Sequence, residues 1–179
     1  MPSHSGLGAL WLLPLSVAAI VAPAQATVYF SLEQAQAQLF PGQILTPSDV
    51  TLTPAQIKAI QTAAGERVRE PHVRVWKAAN GGWFYLDRVL GKHEMITYAL
   101  ALDADGAVTG MEILEYRETY GGAVRNPKWR SQFHGKRHGA QLKLNSDIIN
   151  LSGATLSCLH VADGTRRILA THALVIARQ

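Results

Sequence analysis

The chain has 179 residues, 47% hydrophobic and 17% charged, with a formal net charge of +4. That balance excludes a disordered or fibrous chain and suits one ordinary domain with an apolar core of its own. The single cysteine, Cys158, excludes an intramolecular disulfide, so packing alone must hold the fold.

The run Ala9 to Val21 is apolar apart from Ser16, and Ala24-Gln25-Ala26 follows as a small-x-small pattern before Thr27. This is a signal-peptide reading for residues 1–26, with cleavage after Ala26, because the run is too short for a comfortable membrane span. The segment before it lacks Lys and Arg, so an uncleaved anchor is the other reading. Either way the remainder is expected outside the cytoplasm, periplasmic or membrane-associated. Export without disulfides fits a core large enough to do without them.

Residues 27–70 read as a helical lead-in. Ser31 caps a short helix in which Leu32, Ala35 and Leu39 share a face, and Pro41-Gly42 ends it. Thr53-Pro54 places a cap and then a proline at the first helical position. Ile57, Ile60 and Ala64 form that helix's apolar face, and Gly65 terminates it.

Residues 71–179 form the main unit. His72 to Lys77 alternates polar and apolar, as a half-buried strand does. Asn80-Gly81-Gly82 marks a hairpin, and Trp83 to Leu90, His93 to Leu102 and Ala107 to Glu115 continue as strands between short turns. Tight turns between successive strands predict an antiparallel meander. The fold class expected is therefore α+β, an antiparallel sheet packed with helices.

After the strands come Glu118-Thr119-Tyr120-Gly121-Gly122, then Asn126-Pro127, which caps a helix through Trp129 to about Phe133. Trp129 and Phe133, four apart, dock that helix on the sheet or wall a planar ligand. Residues 135–150 read as irregular, with a short strand at Gln141 to Leu144 as the one exception. From Arg125 to Leu144 the chain has Arg125, Lys128, Arg130, Lys136, Arg137 and Lys143 and no acid. This is a solvated basic face or an attractor for a phosphate or an acidic partner. No recognised nucleic-acid motif accompanies the charge, so no nucleic acid is expected.

The chain is organised around Leu151-Ser152-Gly153-Ala154-Thr155-Leu156-Ser157, just before a helix from about Ala154 to Thr171. Ser152 is the expected N-cap. The unpaired first-turn N–H groups favour an anion, small residues admit it, and Thr155 places an alcohol beside it. Arg166 and Arg167 are expected to face solvent, and Gly164, at a cost of about 1 kcal/mol relative to Ala, marks a kink or break. Ala173 to Ala177 reads as a final strand or as the helix's last turns. Cys158 reads as a buried small residue ahead of a redox thiol. The histidines at 72, 93, 134, 138, 160 and 172 make no HExxH or triad-like pattern, so neither a catalytic residue nor a metal site is expected.

Ser152-Gly153-Ala154-Thr155, an apolar residue and Ser157 resemble the flavinylation motif of the FMN-binding domain family. That family includes flavin-carrying extracytoplasmic subunits of the Rnf and Nqr redox complexes. A second stretch, Glu118-Thr119-Tyr120-Gly121 followed by Trp129 and Gln132-Phe133-His134-Gly135-Lys136, is similar to the family's Glu-Thr-x-Gly turn and its downstream Trp…Gln-Phe-x-Gly-Lys. The resemblance spans roughly Val73 to Leu169. It implies FMN as cofactor, bound by Ser152, Gly153, Ala154, Thr155, Glu118, Thr119, Gly121, Trp129 and Lys136. It also implies a covalent phosphoester on Thr155, made by a separate flavin transferase with FAD as donor.

The implied function is an electron carrier with a membrane redox partner rather than a self-contained enzyme. Family members usually have an aspartate six positions before the modified threonine, where this chain has Ile149. That departure favours a second reading, a non-redox binding or assembly module that has lost flavinylation. A flavin reductase or oxidase with its own substrate is the third.

Overall fold

A computed structural model describes residues 27–118 and 121–179. The expected signal peptide, residues 1–26, and Thr119 and Tyr120 lie outside the described residues. Strands β4 (His72–Ala78), β5 (Trp83–Leu90), β6 (Met95–Leu102) and β7 (Val108–Tyr116) form the expected antiparallel meander. The alternation within them assigns their two faces. On β5, Phe84 joins one apolar cluster while Tyr85 and Val89 join the other.

The sheet is longer than the meander. Three very short strands, β1 (Thr27–Val28), β2 (Leu45–Pro47) and β3 (Val50–Thr51), come from the stretch that reads as a helical lead-in. The sheet order is β1-β7-β6-β5-β4-β2, with β3 also paired to β4. Segments of two or three residues have too little alternation to be read from sequence; the exposed edges of β7 and β4 define them by offering backbone partners.

Helices cover both faces. Helix α1 (Leu32–Leu39) packs Ala35, with Phe40 beyond it, on Trp76, Phe84, Ala99, Ala101 and Leu114. On the other face lie α2 (Pro54–Ala64), the short α3 (Pro127–Arg130) with a 3-10 turn at Ser131–Phe133, and the 20-residue α4 (Thr155–Leu174). The fold is α+β, as expected. Both predicted caps are present: Ser31 and Thr53 each accept from the N–H three residues on, and Gln34 and Gln56 reach back to complete capping boxes.

Helix α4 departs from the reading in two places and resolves a third. It runs unbroken past Gly164, because that glycine is a contact point. A Cβ there would lie 2.5 Å from Tyr98 Oη and 2.7 Å from Val89 Cγ1, so the helix rests directly on the sheet. Arg166 and Arg167 are not solvent-facing. Arg167 donates to Asp87 at 2.6 Å, and Arg166 donates to the Ala64 carbonyl and to Asp163. Opposite charges supplied by β5 and by α4 itself pull both side chains inward. The segment after Leu174 is a 3-10 turn, Ile176–Arg178, which settles the open choice at Ala173 to Ala177 in favour of helical turns. Gln141 to Leu144 is not a strand; only a single bridge, Leu144 to Ile148, forms there.

Candidate flavin site

The turn before α4 sets the site. The Ala154 N–H donates to the Leu151 carbonyl at 3.0 Å, closing a four-residue turn whose third residue, Gly153, has φ +78°. A side chain would be strained in that conformation. A Cβ on Gly153 would meet nothing within 4 Å, so the outside of the turn is open. The helix then begins at Thr155, and the Cys158 N–H makes the first helical bond, to Ala154 at 2.9 Å.

This places the cap differently from the sequence reading. Ala154, not Ser152, is the N-cap, and it has no side-chain acceptor. Ser152 is exposed, within the turn rather than at its end. Four first-turn N–H groups of a helix have no intrahelical partner, and an alanine cap supplies none. Among the described residues, the start of this 20-residue helix has no side-chain cap, and it lies beside the exposed Thr155.

The two sequence stretches meet at this turn. Trp129 is 2% exposed and Phe133 is fully buried, their rings edge to face at 5.1 Å. Trp129 is therefore a core residue, and its indole N–H donates to the Ile149 carbonyl at 2.8 Å. Gln132 Oε1 accepts from the Ile149 N–H, also at 2.8 Å. Together they fix both polar backbone groups of one residue in the approach to the turn. Gln132 lies in the Glu118 to Lys136 stretch but is not among the expected site residues, because its role depends on where residue 149 lies in space.

Gly121 joins the first turn of α4 from the other side. The hydroxyls of Tyr116 and Ser157 are 2.9 Å apart and buried. Gly121, at φ +93°, covers them so closely that a Cβ would lie 2.3 Å from Tyr116 Oη and 2.9 Å from Ser157 Oγ. Glu118 closes the neighbouring turn. Its carboxylate accepts from the N–H groups of His93 at 2.7 Å and Glu94 at 3.2 Å, and it packs against Gly91, whose carbonyl is 3.1 Å from His160 Nδ1. Partial burial raises the Glu118 pKa, but the backbone donors at His93, Glu94 and Lys92 together outweigh it and leave the carboxyl below its ordinary value.

Three of the six basic side chains in this run, Arg130, Lys136 and Arg137, lie against acids from outside it. Arg130 pairs with Glu112, Arg137 lies 3.9 Å from both Asp103 and Asp105, and Arg125 stacks 3.3 Å from the centre of the Tyr29 ring. Lys136 lies 3.7 Å from Asp147. Asp147 in turn accepts from the N–H groups of Leu142 and Lys143, which hold its carboxyl below the ordinary range against the effect of burial. Cys158 is fully buried, and burial pushes its thiol pKa up, which makes it a packing residue.

Asn150 was missed. Its Nδ2–H donates to Thr155 Oγ1 at 3.0 Å, while its Oδ1 is buried and has no partner among the described residues. A five-residue separation across a turn has no periodic signature. A cavity of about 690 Å³ opens elsewhere, among Leu52, Val73, Tyr85, Asp87, Met95 and Arg167; none of the expected site residues lines it. Among the described residues no cluster of three His, Cys, Asp or Glu side chains is placed to hold a metal.

Residues 91–170 match the family model of the FMN-binding domain. The chain contains an FMN-binding domain. The match starts at Gly91, which packs on Glu118, and ends inside α4, so it includes the Gly121 junction, the Trp129 and Gln132 contacts, and the turn at Thr155. FMN is the indicated cofactor. The residues present suit it: an uncapped helix start for a phosphate, an open turn at Gly153, an exposed alcohol, and a buried amide oxygen still without a donor. No curated protein matches the chain.

Proposed function

We propose that this protein is an extracytoplasmic electron-transfer protein carrying FMN through a phosphoester on Thr155, attached by a separate flavin transferase. The observation that carries the reading is the placement of Thr155. Its exposed hydroxyl is the first residue of an uncapped 20-residue helix, next to an open glycine turn. Ser157, the other alcohol in the first turn, is buried against Tyr116 and unavailable as an acceptor.

FMN would supply one- and two-electron chemistry when bound; the protein supplies position and charge. Here Thr155 would provide the anchor and the first-turn N–H groups would favour the phosphate, while Trp129 and Gln132 hold Ile149 ahead of the turn and Tyr116 and Gly121 pack on Ser157 after it. A covalent tether suits a compartment where free FMN is scarce, since reversible loading would depend on its concentration. The run before Thr27 supports export, and a membrane redox partner is the expected donor or acceptor. Among the described residues no helix is long and apolar enough to cross a membrane.

The test is intact mass after co-expression with a flavin transferase. The expected gain is one FMN less one water, absent in Thr155→Val, which keeps the shape and loses the oxygen. Covalent flavin on Thr155→Val overturns the assignment.

One observation favours a second reading, a module of the same fold without flavinylation. Ile149 stands at the family's aspartate position with its side chain 70% exposed, and the nearby Asp147 carboxylate is committed to loop amides. An unmodified wild type that still folds would support it.

A further inference from the structure

The missing carboxylate raises the question of what orients the Thr155 hydroxyl. Ile149 cannot, having no polar side-chain atom, and Asp147 is occupied by Leu142, Lys143 and Lys136. Among the described residues, the side chain that reaches the hydroxyl is Asn150, donating from Nδ2 to Oγ1 at 3.0 Å. Its amide is poorly matched to a purely structural role. One end is spent on an exposed threonine, and the other end, Oδ1, is buried without a partner among the described residues. An unpaired buried amide oxygen costs stability that an apolar side chain of the same size would not. A residue that weakens the fold is explained by what it does at the hydroxyl.

We infer that Asn150 is the positioning residue for the acceptor hydroxyl of Thr155, in place of the carboxylate that this chain lacks at position 149. The inference rests on the covalent reading above. In the transfer, Thr155 Oγ1 bonds to the FMN-side phosphorus of FAD and the phosphoanhydride bond to AMP breaks. AMP leaves with the bridging oxygen, and the hydroxyl proton passes to a base of the transferase; nothing is oxidised or reduced. Asn150 is not that base, because its nitrogen donates. It occupies one lone pair of Oγ1 and thereby fixes the side-chain rotamer, leaving the other lone pair to point one way. The ester oxygen of the product still accepts but no longer donates, so the bond from Nδ2 survives the reaction. A side chain that accepted the hydroxyl proton would lose its partner at that step.

The test compares the full chain with Asn150→Leu, which is close in volume and removes both polar atoms. Three measurements separate positioning from structure. Thermal unfolding of the variant is expected at the wild-type midpoint or above it, because the unpaired oxygen is gone. Side-chain couplings of Thr155 in the flavin-free protein should change from a single rotamer to an average. Loading by transferase and FAD should slow roughly tenfold in kcat, the equivalent of one hydrogen bond, with KM for the chain unchanged. Equal kcat in the two proteins overturns the inference, and so does an averaged Thr155 rotamer in the wild type. A slower variant that has merely lost stability, with its couplings unchanged, also overturns it. If the wild type takes up no flavin even with transferase present, the covalent reading fails separately, and the couplings alone decide whether Asn150 holds the hydroxyl.

Discussion

The hydroxyl of Tyr116, at the end of the central meander, lies 2.9 Å from that of Ser157 in the first turn of α4, and both are buried. This contact ties the sheet to the helix start two residues beyond Thr155. It also explains the glycine at 121, which lies over the pair where no larger residue fits.

Gly121→Ala should therefore be strongly destabilising. The new Cβ would sit 2.3 Å from Tyr116 Oη, and φ is +93°. Positive φ and a steric clash together cost roughly 2–4 kcal/mol. Denaturant unfolding measures this; a loss under about 0.5 kcal/mol would mean that the junction is loose.

Gly164→Ala reverses a familiar sign. In an ordinary helix interior the change gains about 1 kcal/mol, but here the added carbon would lie 2.5 Å from Tyr98 Oη. Tyr98 is fully buried and hydrogen-bonded to Asp87, so it has little room to move. A net loss of roughly 1–3 kcal/mol is expected from overpacking, read as a lower thermal midpoint.

Ser152→Ala should leave stability within about 0.5 kcal/mol, because Ser152 is exposed and Ala154 holds the cap position. A loss near 1 kcal/mol, the usual value of a serine cap, would restore Ser152 to that role.

His172 predicts a pH dependence. It is buried, with Nδ1 2.8 Å from the Tyr85 hydroxyl, and burial lowers its pKa against a smaller opposing effect of Asp103. The unfolded chain then binds more protons than the folded one below the ordinary histidine pKa of about 6.5. Stability contributed by neutral His172 is complete above that value and falls as pH drops through it. Comparing wild type with His172→Gln by unfolding at pH 7.5 and pH 5.5 isolates the effect. The difference between the two proteins should narrow at the lower pH, and a gap unchanged between the two pH values would show that His172 does not titrate differently on folding.

The sequence by itself determined what depends on neighbours along the chain. Caps at Ser31 and Thr53, the turn at Asn80 to Gly82 and the alternation of the long strands are local preferences, and all appear in the structure. The Ser152 to Ser157 motif and the Glu118 to Lys136 stretch likewise announced the FMN-binding domain. What only the tertiary structure decided depends on partners distant in sequence. β1, β2 and β3 exist because sheet edges offered hydrogen bonds, not because their own residues alternate. Half of the basic run from Arg125 is met by acids, because Glu112, Asp103, Asp105 and Asp147 lie opposite Arg130, Arg137 and Lys136. Arg167 turned inward because Asp87 on a strand lay opposite. At the site, Thr155 was legible as an alcohol in a motif, while Asn150 was not, because its importance is a 3.0 Å contact made across a turn. Local propensity is written along the chain; pairing, charge compensation and the orientation of one hydroxyl are fixed only when separate segments pack together.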